Sequence, residues 1–148
     1  MKKILIGVGI VFLVIILIIV GLMGQSILKA RKALPFSEDF VEVFYQHYNN
    51  KDASYIYDEL CSDVLRQMVL FEDFKKIVIE ATINKLGKVV KKERESWNIG
   101  NTPKGTLLTL KYKTSREKSE STDTIVLIQE GNSWLLAGYN VNSKDLIQ

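Results

Sequence analysis

The apolar residues of this chain follow three different patterns along its length. From Ile4 to Met23 twenty consecutive positions carry no charged side chain, and a helix of that length covers roughly the 30 Å of a bilayer's hydrocarbon core. The next fifty residues or so place apolar side chains at helical spacing, and after Gly87 the period changes to two. The pattern therefore predicts a short tail over 1–3, a transmembrane helix over 4–24, a juxtamembrane linker over 25–36 and one α+β domain over 37–148.

Basic residues flank the predicted transmembrane helix on both sides: Lys2, Lys3, Lys29, Arg31 and Lys32. A short tail before a long apolar run is the usual signal-anchor arrangement, which keeps the tail in the cytoplasm and sends the domain across. The flanking charges nearly balance, so the reverse orientation stays open. A cleaved signal peptide is the other alternative, although its apolar core usually has only about 7–15 residues. We expect an anchor in the cytoplasmic membrane with an extracytoplasmic C-terminal domain and the lipid bilayer as one partner.

The positive net charge of the chain, +3, belongs to these flanks. Five of the twenty basic residues precede the first acidic residue, Glu38, which leaves fifteen basic and seventeen acidic residues for the rest of the chain. Binding of nucleic acid would require a basic stripe on the folded domain. The slightly acidic balance of the domain excludes that function class.

Three amphipathic helices are predicted between the linker and Gly87. Pro35 should end any extension of the membrane helix, Ser37 suits the N-cap of the first domain helix, and Phe36 can pack on Val41 as a hydrophobic staple. On a helical projection, His47 falls near the middle of the apolar arc of this helix, which ends at the two asparagines 49 and 50.

The second and third helices follow the same reasoning. Asp52 can cap the second, whose single apolar face runs from Ala53 to Met68. The third is expected to turn these residues inward and to end at Gly87: Phe71, Phe74, Ile77, Val78, Ala81 and Leu86.

Alternation of apolar and polar residues then predicts four strands, with the Gly131-Asn132 pair as a tight hairpin turn between the last two. The predicted strands are 88–99, 106–114, 123–129 and 134–141. The fold class is thus α+β, with about three helices packed on a four-stranded, curved antiparallel sheet.

The closing phrase Gly131-Asn132-Ser133-Trp134-Leu135-Leu136-Ala137-Gly138-Tyr139, after a helical hairpin and a curved sheet, resembles the nuclear-transport-factor-two-like, or cystatin-like cone, superfamily. It is most similar to small bacterial membrane-attached domains of that superfamily. The resemblance covers about residues 37–141 and implies a cone-like domain that can serve as an isomerase, a dehydratase or a non-catalytic binding module. A tail, one span and an outer domain of this kind also resemble the scaffold subunit of type IV secretion systems.

Candidate chemistry centres on the single histidine. His47 could act as a general base in an apolar cavity with Tyr57 and Asp58 near it, as in a lyase or isomerase; the alternative is a core histidine bonded to its neighbours. A metal site needs three or four ligands, and one histidine with one cysteine does not supply them. Cys61 is expected to behave as a small buried hydrophobe. No cofactor motif is present in the sequence.

The leading functional prediction is a membrane-anchored domain that binds a protein partner or a small apolar ligand without chemistry. The enzyme that uses His47 is the first alternative, and a self-associating scaffold is the second. A concave sheet under helices can leave an apolar pocket, and these residues are predicted to line it: Phe44, His47, Tyr48, Tyr57, Cys61, Tyr112 and Trp134.

Overall fold

The computed structural model of the protein describes residues 33–146. The chain divides into two compact units, Met1–Pro35 and Phe36–Gln148, and the second is the α+β domain described below. Within residues 33–146, no helix has both the length and the apolar character that crossing a membrane requires. The predicted span over 4–24 and its basic flanks lie outside the described residues.

The first helix, α1, covers residues 33–49 and ends where the sequence predicts. Three expectations about its start are wrong, the first being that a helix would end at Pro35, which lies inside α1. The chain is already helical at Ala33, so Ser37 lies inside the helix, fully buried, instead of capping it. A helical turn replaces the expected cap and staple, and Phe36, expected to pack on Val41, is 66% exposed.

The buried stripe of α1 consists of Val41, Phe44, Tyr45 and Tyr48. These positions are three or four residues apart, which places them on one face of a helix. His47 therefore lies at the border of the stripe, with 24% of its side chain exposed, and not near its middle as predicted.

The predicted second helix is interrupted at Cys61. Its first part, α2, consists of Ala53–Tyr55 and a π-helical turn, Ile56–Leu60, and Asp52 caps it as predicted. Cys61 is extended and forms an isolated bridge with Leu136. After it, the Ser62 side chain accepts a hydrogen bond from the backbone of Leu65 and begins α3, Asp63–Met68.

This break changes which residues are buried. Because the Ser62 backbone N–H donates to the carbonyl of Leu136 at 2.8 Å, the chain is fixed to the sheet at this point and α3 starts in a new direction. Met68, predicted on the buried face, is 74% exposed.

The last long helix, α4, has three consecutive segments: Phe71–Asp73, the π-helical Phe74–Ala81 and Thr82–Leu86. A π-helix closes its hydrogen bonds over five residues instead of four, so its buried face shifts relative to an α-helix. Phe74 and Ile79 are buried, whereas Ile77, which helical spacing turns inward, is 67% exposed. Gly87 ends the helix as predicted, with a φ of 83° that suits glycine.

The sheet confirms the predicted antiparallel meander. Its strands are β1, Val89–Thr102; β2, Gly105–Arg116; β3, Glu120–Glu130; and β4, Ser133–Asn142. They are hydrogen-bonded in the order β1-β2-β3-β4. The domain is therefore α+β, with a four-stranded curved antiparallel sheet and several helices.

Helix α1 is tied to the first strand of the sheet. Glu38 forms an ion pair with Arg94, and Glu42 forms one with Lys92. At the other end of the helix, the Asn49 side chain donates to the carbonyl of Val89 at 2.9 Å and accepts from its N–H at 2.8 Å. The stripe of α1 thus faces the inward side of the sheet, where the following residues are fully buried: Leu108, Leu110, Ile125 and Leu127.

Candidate functional site

The inward side of the sheet carries a buried polar cluster beside the apolar core. Two strands and α1 supply most of it, and the last strand adds a tyrosine. We call it the Arg–Asp cluster, and it consists of Tyr45, Tyr48, Thr114, Arg116, Ser121, Asp123 and Tyr139.

The centre of the cluster is an ion pair between Arg116 and Asp123. The Arg116 Nη2 atom lies 2.7 Å from Asp123 Oδ2, and neither side chain is exposed to solvent. The other guanidinium hydrogens are also used: Nε donates to Ser121 Oγ at 2.8 Å, and Nη1 donates to the Tyr48 hydroxyl at 3.1 Å. Isolated charges are expensive to bury, and here each charge faces its counter-ion.

Both carboxylate oxygens of Asp123 also accept hydrogen bonds from neighbouring side chains. Its Oδ2 atom accepts from the hydroxyls of Tyr45 at 2.9 Å and Tyr139 at 2.7 Å. Its Oδ1 atom accepts from Ser121 at 2.7 Å and Thr114 at 3.1 Å. Among residues 33–146, every buried side-chain nitrogen or oxygen has a hydrogen-bond partner. The cluster is therefore a hydrogen-bonded network in which no buried polar side-chain atom of the described residues lacks a partner.

The tyrosines of the cluster are held in their neutral form. Burial raises the pKa of Tyr45, and the neighbouring charge of Asp123 raises it further. Burial likewise raises the pKa values of Tyr48 and Tyr139. Because the hydroxyls stay protonated, Tyr45 and Tyr139 remain hydrogen-bond donors to the carboxylate.

Sequence reasoning missed the cluster because it ended β2 at Thr114 and read the next residues as a turn. A usable signal was present: Arg116 shares the parity of Leu108 and Leu110, and Asp123 shares that of Ile125. Since side chains on a strand alternate between faces, continuing the alternation by two residues would have turned Arg116 inward.

The three residues of the predicted catalytic set are not joined by any hydrogen bond or ion pair in the described part of the chain. His47 Nδ1 lies 2.9 Å from Asp52 Oδ2, and its ring stacks on Tyr55 at 3.7 Å. The Tyr57 hydroxyl donates to the carbonyl of Val69 at 2.8 Å. Asp58 is exposed, and its backbone carbonyl accepts from Arg66.

His47 and Asp52 form a local joint between α1 and α2. The hydrogen bond from His47 lowers the pKa of Asp52, and the backbone N–H of Tyr55 lowers it further. The carboxylate caps α2 with one oxygen and contacts the histidine with the other. These contacts stabilise the first turn of α2 and hold it against the end of α1.

The predicted lining residues are divided among several places. Phe44 and Tyr48 meet in the interior with ring centroids 5.8 Å apart. Tyr112 is buried, and its hydroxyl lies 3.4 Å from Glu38. Trp134 is half-buried near the start of β4, and Cys61 lies at its bridge to that strand, where burial raises the pKa of its thiol to about 12. A thiol with so high a pKa is a poor nucleophile at neutral pH.

An apolar hollow of about 400 Å³ lies on the opposite side of the sheet. We call it the outer hollow. It is lined almost entirely by apolar atoms of these residues: Val64, Thr102, Pro103, Lys104, Leu107, Val126, Ile128 and Ala137.

A second groove, of about 460 Å³, runs between α4 and β4. Val78 and Ala81 line it on the helix side, and Tyr139 and Val141 line it on the strand side. The Tyr139 hydroxyl is directed to Asp123, so this residue presents only its ring to the groove.

Within residues 33–146, no group of three or more histidine, cysteine, aspartate or glutamate side chains could hold a metal ion. No protein-family model matches the sequence, and no curated protein matches it.

Proposed function

We propose that the chain is a single-pass membrane protein whose α+β domain lies outside the cytoplasm and binds a ligand or partner without catalysing a reaction. The domain would belong to the nuclear-transport-factor-two-like, cone-like class. Support for that class comes from the meander of long strands and from α1, which turns its buried stripe toward the inward side of the sheet.

The observation that carries the non-catalytic proposal is the Arg–Asp cluster. A cone-like enzyme needs room and unsatisfied polar groups on the inward side of its sheet. Here Arg116 and Asp123 neutralise each other at 2.7 Å, and their remaining hydrogen-bonding atoms are occupied by neighbours. Such a network supports a structural role for the interior of the domain.

The two alternatives receive less support. An enzyme using His47 would need Tyr57 and Asp58 beside it, whereas His47 contacts Asp52 and Tyr55. A scaffold would need an extended surface for a second copy, and the outer hollow is concave and of small-ligand size. Binding at a concave apolar site is therefore the function we favour.

Reporter fusions after Gln148 test the location of the domain. Alkaline phosphatase should be active there, because it needs an oxidising compartment for its disulfides, and green fluorescent protein at the same site should be dark. The matched control lacks residues 1–32 and should reverse both signals. A fluorescent full-length fusion with inactive phosphatase would place the domain in the cytoplasm and refute the proposed topology.

A further inference from the structure

The outer hollow lies where an antiparallel sheet normally presents polar residues. Helix α1 packs on the inward side of this sheet, and the other side of an antiparallel sheet is usually solvated and polar. Here Leu107 and Ile128, which face each other in the β2–β3 register, both line the hollow. Val126 and Ala137 extend the same apolar floor toward β4.

The outer face changes character along its length. Beyond Val126, the β2–β3 pairs on this face are Lys111 with Thr124 and Lys113 with Thr122, and both pairs are polar. The apolar floor is therefore a local patch, and the turn at Pro103 and the side chain of Val64 wall it into a concave site. A volume of about 400 Å³ lies near the lower end of the range for small-ligand sites, roughly 300–1,000 Å³.

Lys104 adds a positive charge to one end of this apolar site. It lines the hollow and is exposed, so its alkyl stem can cover the wall of the site while its ammonium reaches the solvent at the mouth. Among the described residues, the ammonium forms no hydrogen bond or ion pair. An unpaired cation at the mouth of an apolar site complements a ligand with an apolar body and a negative head.

We propose that the outer hollow binds one single-chain amphiphile, a free fatty carboxylate, with its chain on Leu107, Val126 and Ala137 and its carboxylate at Lys104. This inference rests on the proposed binding function and names its ligand class. One chain fits the volume better than the two chains of a bilayer lipid, and the single lysine matches a single negative charge.

Photo-crosslinking of the full chain in lipid nanodiscs tests the proposal. The probe is dodecanoate with a diazirine near its methyl end, and mass spectrometry locates the labelled residues. We expect labels on Leu107 and Val126, and unlabelled dodecanoate, when present during photolysis, should reduce this labelling more than dodecanol does. Ala137→Leu, which fills the floor, should reduce labelling by about tenfold.

Lys104→Gln should reduce labelling about two- to fivefold and remove the preference for dodecanoate over dodecanol. Lys111→Gln, on the same face but away from the hollow, is the control and should label like the wild type. Because Lys104 is an exposed turn residue, we expect its substitution to leave the packing of the core unchanged. Labels elsewhere, labelling unchanged by Ala137→Leu, or cross-linking of two chains through the hollow would overturn the proposal, and none of these results depends on the reporter fusions.

Discussion

Replacing Asp123 with asparagine is expected to lower the free energy of unfolding of the domain by about 3–5 kcal/mol. The variant keeps the size of the side chain but leaves Arg116 buried without a counter-ion. It also turns an amide N–H₂ group toward hydroxyls that donate, because Tyr45 and Tyr139 both point their protons at this position. Urea unfolding of the full chain in a non-ionic detergent, followed by tryptophan fluorescence, measures the effect, since Trp97 and Trp134 both lie in the domain and are the only tryptophans of the chain.

Asp58→Asn is the matched control, because Asp58 is an exposed aspartate whose side chain makes no hydrogen bond or ion pair with the described residues. Its free energy of unfolding should stay within about 0.5 kcal/mol of the wild type. Replacing both charged residues with apolar ones, Arg116→Met together with Asp123→Leu, should recover only part of the lost unfolding free energy. The hydroxyls of Tyr45 and Tyr139 would still lose their acceptor. A loss below about 1 kcal/mol for Asp123→Asn would mean that water reaches the ion pair.

Phe44→Ala should cost about 3–5 kcal/mol of unfolding free energy. Phe44 is fully buried, and its ring lies 5.3 Å from Tyr45 and 5.0 Å from Tyr139 between centroids. The sequence predicts Phe44 as the wall of a pocket, in which case truncation would enlarge the pocket and cost much less. The size of the loss therefore distinguishes a core residue from a lining residue.

The same helix provides the control for this substitution. Phe36→Ala removes an identical ring that is 66% exposed, and it should change the free energy of unfolding by no more than about 0.5 kcal/mol. The same urea unfolding measurement serves both variants. Equal effects of the two substitutions would contradict the packing of α1 against the sheet.

Hydrophobic periodicity predicted the strands of this domain better than its helices. Alternation identified the four strands, and the Gly131-Asn132 turn placed the last hairpin correctly. The second helix was predicted as continuous because Ala53 to Met68 keeps helical spacing, but spacing cannot reveal that the backbone of Ser62 bonds to Leu136. The exposure of Ile77 has a similar origin, since a π-helical segment shifts the buried face without any change in residue type.

The candidate sites show a different limit. The apolar outer face could be predicted from the sequence, because all four residues from Ile125 to Ile128 are apolar. Side chains on both faces of the strand are then apolar, which is typical of a strand covered on both sides. The ion pair was harder to predict, since charged residues near strand ends normally face solvent. Only the tertiary structure brings Tyr45 of α1 and Tyr139 of β4 to the same carboxylate.

The closed interior is the central claim of this account, and the ionisation of individual tyrosines tests it most directly. With ¹³Cζ-labelled tyrosine, NMR can follow each of the six tyrosines of the full chain from pH 8 to alkaline unfolding. Burial raises the pKa values of Tyr45, Tyr48 and Tyr139. Their contribution to stability is therefore complete below the unfolded pKa of about 10 and is lost as the pH rises above it.

We predict that these three resonances keep their protonated shifts until the domain unfolds in base, while all six tyrosines titrate together near pH 10 in urea. Ionisation of Tyr45, Tyr48 and Tyr139 near pH 10 in the folded domain would show that water reaches the Arg–Asp cluster. That result would contradict a closed interior and would favour a cavity open to substrate.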